Sequence, residues 1–166
     1  MIKKLFLALM LLMPMSVFAQ KFGVIKAQEV MEAMPEFTDM KTKIEAASKT
    51  YEDEFAKLQA EAQKKAEELQ TLDKDTSTPD AIKERRFQEL QELGQKIDQF
   101  RQTAQQDLQR QQAQLIQPIQ EKVMKAIQTV GTEGGYTLIF DSMEPLFTGA
   151  TVEDVTPKVK TALGIK

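Results

Sequence analysis

The sequence predicts an α+β protein, mostly α, with a long antiparallel coiled-coil hairpin inserted in a small β-rich oligomerisation body. Two observations predict this fold. Apolar residues recur at steps of three and four through the middle of the chain, the spacing of a stripe along a helix. Short β-branched and aromatic runs next to glycine lie on both sides of that zone. The body therefore takes residues 20–34 and 131–166, and the arm takes 35–130 with its tip near 73–80.

The first 19 residues have the pattern of a cleaved signal peptide. Lys3 and Lys4 give a positive start, residues 5–13 are apolar, and 17–19 form a small-x-small cleavage site. This apolar run is shorter than the roughly 20 residues of a membrane-spanning helix. An uncleaved anchor is the alternative, but both flanks favour cleavage. We therefore expect an exported protein.

Composition excludes several kinds of chemistry. The chain has no cysteine and no histidine, which excludes metal sites and nucleophiles built on those side chains. No loop has the acidic spacing of a calcium site, so we predict no catalytic residue, metal or cofactor. The net charge of −3 becomes −5 without Lys3 and Lys4, a balance that argues against nucleic acid as a partner.

The middle zone predicts two long helices. The first begins at Pro35, and the second begins with Thr78 as its cap and Pro79 at its first position. The second is expected to end at Gly131. At about 1.5 Å per residue, helices of about 38 and 52 residues are roughly 57 and 78 Å long, a length typical of coiled coils.

A short polar link between the helices predicts that they fold back antiparallel. A turn near residues 76–77 then places Phe55 near 97–100, Ile44 near Leu108, and Phe37 near Ile116.

The same geometry places Pro35 and Pro118 at one level, at the base of the arm. Pro118 removes a helix hydrogen bond, so we predict a hinge at these prolines; a kink without motion is the alternative. Residues 119–130 have no partner in the first helix and are expected to pack on the body.

The ends of the chain supply the body. Residues 22–25, 136–140 and 145–148 are predicted strands, and a short helix is expected from Thr156 and Pro157 to Gly164. A body of about 52 residues is too small to be stable alone, so we expect several copies to share it. The residues assigned to its core or to the subunit interface are Val24, Ile25, Leu138, Phe140, Val155 and Val159.

The chain resembles the Skp/OmpH family of periplasmic chaperones. The resemblance rests on the signal peptide, the strand at 22–25 with the helical turn at 28–31, the hairpin, the Gly-Gly-Tyr-Thr-Leu-Ile-Phe-Asp block at 134–141, and the terminal block at 152–156 before a helix. The two C-terminal blocks are its most specific part.

The resemblance implies a homotrimer in the periplasm. A β-rich body would join three subunits, and three helical arms would enclose a cavity for unfolded outer-membrane β-barrel proteins without any nucleotide. The best-known members are strongly basic, whereas this chain is acidic. That difference argues against strong contact with lipopolysaccharide or anionic membranes.

Four residues are candidates for binding the unfolded client: Met34, Phe37 and Met40 near the arm base, and Phe87 near the tip. Methionine is adaptable and suits promiscuous surfaces. Packing in the seam or the body is the alternative for each of them.

A structural or adaptor coiled coil of the cell envelope that binds one folded partner is the second functional hypothesis. An enzyme is a third, which has little support because no nucleophile and base combination is visible.

Overall fold

The computed structural model describes residues 20–141 and 147–165. The predicted signal peptide lies outside these residues, as do positions 145–146 of the predicted strand at 145–148. The elements in chain order are β1 (Phe22–Ile25), α1 (Ala27–Glu32), α2 (Pro35–Lys74), α3 (Asp80–Glu133), β2 (Leu138–Asp141), β3 (Val152–Asp154) and α4 (Thr156–Ala162). The predicted fold class, a long helical hairpin on a small β-containing body, is confirmed.

Helices α2 and α3 pack against each other in antiparallel fashion and form the arm. Ion pairs join them at both ends: Glu36 binds Lys122 at 2.5 Å near the base, and Lys65 binds Glu89 at 3.6 Å near the tip. Phe37 and Ile116 line one groove, as predicted. Ile44 and Gln112 line the same groove.

The turn between α2 and α3 is organised by the Asp75 carboxylate. One of its oxygens accepts the backbone N–H and the hydroxyl of Ser77 at 2.8 and 2.7 Å, and the other accepts the Thr78 hydroxyl at 2.9 Å. The prediction that Thr78 caps α3 is therefore wrong. Its hydroxyl is bonded to Asp75, and the helix begins one residue later, with Pro79 at the N-cap.

Helix α3 continues past Gly131, where the sequence predicted its end. Gly135, with φ of 65°, follows the last turn in the left-handed region, where glycine has no Cβ penalty. Tyr136 N–H then donates to the Gly131 carbonyl at 3.0 Å and Gly135 N–H to the Thr132 carbonyl at 3.3 Å, the paired bonds of a Schellman cap. The predicted stop is wrong because the second of the two later glycines adopts the terminating conformation.

Three short parallel strands form the sheet, in the order β2-β1-β3. Phe22 of β1 is in register with Leu138 on one side and with Val152 on the other. The predicted strand at 136–140 begins only at Leu138, and Phe147 and Thr148 are not in a strand. Strand β3 was missed, because a three-residue edge strand carries almost no periodicity.

The body core is built jointly by the sheet, the short helices and the base of the arm. Residues 119–130 pack on the body as predicted, since four of them belong to its buried core. The prediction that they have no partner in α2 is wrong, because Lys122 binds Glu36. The buried members are Ile25, Val30, Met34, Phe37, Met40, Ile119, Val123, Ala126, Val130, Val155 and Val159. The end of the hairpin and the body therefore fold as one unit.

A polar cluster around Glu153 ties the segments of the body together. Its carboxylate accepts the Tyr136 hydroxyl at 2.6 Å and pairs with Lys158 at 2.5 Å and Lys21 at 3.2 Å. The Lys21 ammonium also lies 4.1 Å from the centre of the Tyr136 ring, a cation–π geometry. These contacts, Lys158 first, then Tyr136 and Lys21, lower the pKa of Glu153 to about 2.

The shared core predicts a large effect of truncating β1. Ile25 is only 2% exposed, so Ile25→Ala is expected to lower the free energy of unfolding by about 2–5 kcal/mol. Ile82→Ala, at a 46% exposed position on α3, is the control and should change it by less than about 0.5 kcal/mol. Urea denaturation measures both. An equal effect of the two changes would contradict the assignment of the core.

The Glu153 cluster predicts acid sensitivity. Because folding lowers the pKa of Glu153 from 4.5 to about 2, its contribution to stability is complete above pH 4.5 and is lost as the pH falls toward 2. Glu153→Gln should lower the melting temperature at pH 6, and this difference from the unmodified protein should shrink toward pH 2. Thermal unfolding from pH 6 to 2 measures it. Glu61→Gln, on the exposed face of α2, is the control; if it changes the pH dependence equally, the cluster is not its source.

Candidate functional site

The three candidate client-binding residues at the arm base are buried. Met34, Phe37 and Met40 are 3%, 8% and 6% exposed and belong to the body core. This agrees with the alternative that they pack the body, because Met34 precedes α2 and the other two follow at helical spacing on its core-facing side. Phe37 and Met40 line a surface groove together with Met31, and Met40 also lines the cavity beside Pro118.

The fourth candidate, Phe87, lies on the surface near the tip of the arm. Its side chain is 50% exposed, and that of Ile82, on the preceding turns of α3, is 46% exposed. Arg85 and Arg86, which lie between them, both bind Glu89, at 3.2 and 2.8 Å. The tip therefore carries exposed apolar side chains beside paired charges, which is a surface that an unfolded chain can contact.

The six residues that the sequence assigned to the body core or the subunit interface fall into a less exposed and a more exposed group. Ile25, Val155 and Val159 are buried in the core, and Val24 is half-buried. Leu138 and Phe140 are 47% and 49% exposed.

The exposed pair forms one apolar strip. Successive side chains of a strand point to opposite faces, so Leu138 and Phe140 share the outer face of β2. Ile139 points to the other face, where it packs against the body core. Strand β2 lies at an edge of the described sheet. The body thus presents an apolar strip at a sheet edge.

A hydrogen-bonded contact that the sequence did not suggest lies halfway along the arm. The Tyr51 hydroxyl donates to the Asp107 carboxylate at 2.5 Å across the seam, and Gln111 donates to the same carboxylate at 2.6 Å. The Tyr51 and Phe100 rings meet edge to face with centroids 6.0 Å apart. One polar contact at a helix seam favours a single register. A tyrosine among apolar seam positions was the available signal.

The two predicted hinge prolines lie in different parts of their helices. Pro35 is the first residue of α2, whereas Pro118 is inside α3, which continues through it. Lys122 bonds Glu36, and Glu36, Met40 and Pro118 line one small surface cavity. Hinge motion remains a prediction.

The described residues offer neither a metal site nor a membrane-spanning helix. Within residues 20–141 and 147–165, no group of three or more acidic side chains is placed to hold a metal ion. In the same part of the chain, no helix is both long enough and apolar enough to cross a membrane.

Comparison with known proteins identifies one family. The family described as "Outer membrane protein (OmpH-like)" matches residues 21–163, which include both body segments and the whole arm. No curated protein matches the chain.

Proposed function

The chain belongs to the OmpH-like family, whose members are periplasmic chaperones of outer-membrane proteins and not enzymes, and on that premise we propose that it is an ATP-independent holdase. It binds unfolded outer-membrane β-barrel proteins in the periplasm and prevents their aggregation during outer-membrane assembly. The long arm that extends beyond a small shared core is the observation that carries this proposal.

The physical problem that a holdase solves is the exposure of unpaired strands. An unfolded barrel protein presents alternating apolar side chains and unsatisfied backbone groups, and therefore aggregates. A protein that binds the unfolded chain lowers the concentration of free, aggregation-prone chain. Many weak contacts suffice, because each bound segment raises the effective concentration of the next. Such binding uses contact surface and needs no catalytic site.

The arm supplies that surface. The core that joins the arm to the body includes half-buried Ile44 and Leu115 as its outermost arm residues. Helix α2 has 40 residues, about 60 Å at 1.5 Å per residue, so most of its length lies beyond this core. Several arms on one body would surround a client and keep other unfolded chains away from it.

Copies of the chain join through the body in this proposal. The strip formed by Leu138 and Phe140 is apolar and lies at a sheet edge. Exposed apolar strips of this kind mark interfaces, and association also covers an unpaired strand edge. A closed ring of three copies, as the family resemblance implies, would bury the strip and direct three arms to one side.

The test of the holdase function is suppression of aggregation. The protein, purified from Gln20 onward, should keep several unrelated urea-unfolded outer-membrane porins in solution on dilution, without ATP. Light scattering and the mass of the soluble complex measure this. Folded porins, which present no free strands, are the control. Binding of one folded partner, with no effect on any unfolded porin, would contradict the proposal and support the adaptor hypothesis.

The interface strip predicts the behaviour of a double variant. Leu138→Ser with Phe140→Ser should shift the protein from an oligomer to a monomer at micromolar concentration and should abolish client holding. Sedimentation equilibrium measures the mass. The matched control, Ile82→Ser with Phe87→Ser, removes two equally exposed apolar side chains from the arm and should leave the mass unchanged. A monomeric unmodified protein would contradict the proposed assembly.

A further inference from the structure

The outer third of the arm, residues 59–92, lies beyond the buried pair Leu58 and Leu93. None of the residues 59–92, all of which the structure describes, has a buried side chain. The apolar side chains at its seam, Leu69, Leu72 and Leu90, are only half-buried. Sparse burial of apolar groups is what lowers the free energy of local opening.

An ion pair occupies the seam where the inner arm has apolar contacts. Lys65 of α2 and Glu89 of α3 are 3.6 Å apart, with 31% and 27% of their side chains exposed. Glu89 also binds Arg85 and Arg86, so three cations share one carboxylate. Partly exposed ion pairs contribute little net stability, and this pair takes a position where a leucine would bury apolar surface.

The inner boundary of this segment is well defined. Leu58 and Leu93 are 6% and 7% exposed, and Tyr51 then bonds Asp107 across the seam at 2.5 Å. These contacts stabilise the inner arm, so we expect opening that begins at the tip to end at Leu58 and Leu93.

We propose that residues 59–92 open locally as one unit, from the turn at Asp75 inward to Leu58 and Leu93, while the inner arm and the body stay folded. Opening exposes Leu69, Leu72 and Leu90 next to the already exposed Ile82 and Phe87, and so enlarges the apolar surface that faces an unfolded client. The role of this opening in client binding rests on the proposed function, whereas the opening itself does not.

Hydrogen exchange of the whole protein, without client, tests the opening. Amides of residues 62–72 and 83–91 are expected to be at least about 10-fold less protected than those of 45–57 and 94–106. The double variant Lys65→Leu with Glu89→Leu should restore protection in the outer third alone, because it converts the pair to apolar contact. Equal protection along the arm in the unmodified protein would overturn the proposal.

A pair of cross-links tests the role in client holding. The chain has no cysteine, so Lys65→Cys with Glu89→Cys can be joined by a short bismaleimide without side reactions at other thiols. Glu36→Cys with Lys122→Cys, at the ion pair of the arm base, receives the same reagent as the matched control.

The outer cross-link is expected to raise amide protection in residues 62–72 and to reduce holding of unfolded porins several-fold, while the base cross-link changes neither. Unchanged holding with the outer arm locked would overturn the role of opening. If the unmodified protein held no porin, the proposed function would fail, and the exchange measurement would still decide whether the outer arm opens.

Discussion

Val123 and Val130 of α3 lie in the same buried core as Ile25 of β1 and Val155 next to α4, and this shared packing is the constraint on which the architecture depends. Three strands of three or four residues enclose too little apolar surface to fold alone. The base of the hairpin provides the missing surface. The body in turn holds the two helices together where they leave it, so neither part is independent of the other.

Along the arm, the character of the seam changes with distance from this core. Near the body, methionine and aliphatic side chains are buried; halfway out, Tyr51 and Asp107 meet through a hydrogen bond; near the tip, Lys65 and Glu89 take the seam position. Hydrophobic burial is strong and non-directional, whereas exposed ion pairs contribute little. The seam therefore changes from buried apolar contacts at the body to a partly exposed ion pair near the tip.

The sequence was sufficient for the parts that depend on periodicity. The apolar steps of three and four predicted both long helices, and Pro35 correctly marked the first residue of α2. The helix boundaries at Thr78 and Gly131 were misplaced, since both depend on which of several neighbouring residues makes the capping bonds. Placing the N-cap of α3 at Pro79 rather than Thr78, or its terminating glycine at Gly135 rather than Gly131, requires the backbone geometry.

The site predictions were limited in a different way. Met34, Phe37 and Met40 were correctly recognised as apolar positions, but an amphipathic stripe does not reveal whether its outer edge is covered by another segment. Here α1 and the base of α3 cover it. Leu138 and Phe140 illustrate the converse, since they look like core residues in sequence and lie exposed on a single chain. The Glu153 cluster joins residues more than a hundred positions apart, as Lys21 shows, and no local pattern reveals it.

The position of β1 in the sheet has a consequence for biosynthesis. It is the first element of the described chain and also the central strand, with Leu138 and Val152 in register with Phe22 on its two sides. A polypeptide made from its N-terminus therefore releases the middle of the sheet long before either flank. The hairpin, whose contacts are local around its turn, forms in the interval, and the sheet closes only after the last residues have emerged. A prematurely terminated chain would lack both neighbours of β1 and so could not complete the core on which the base of the hairpin depends.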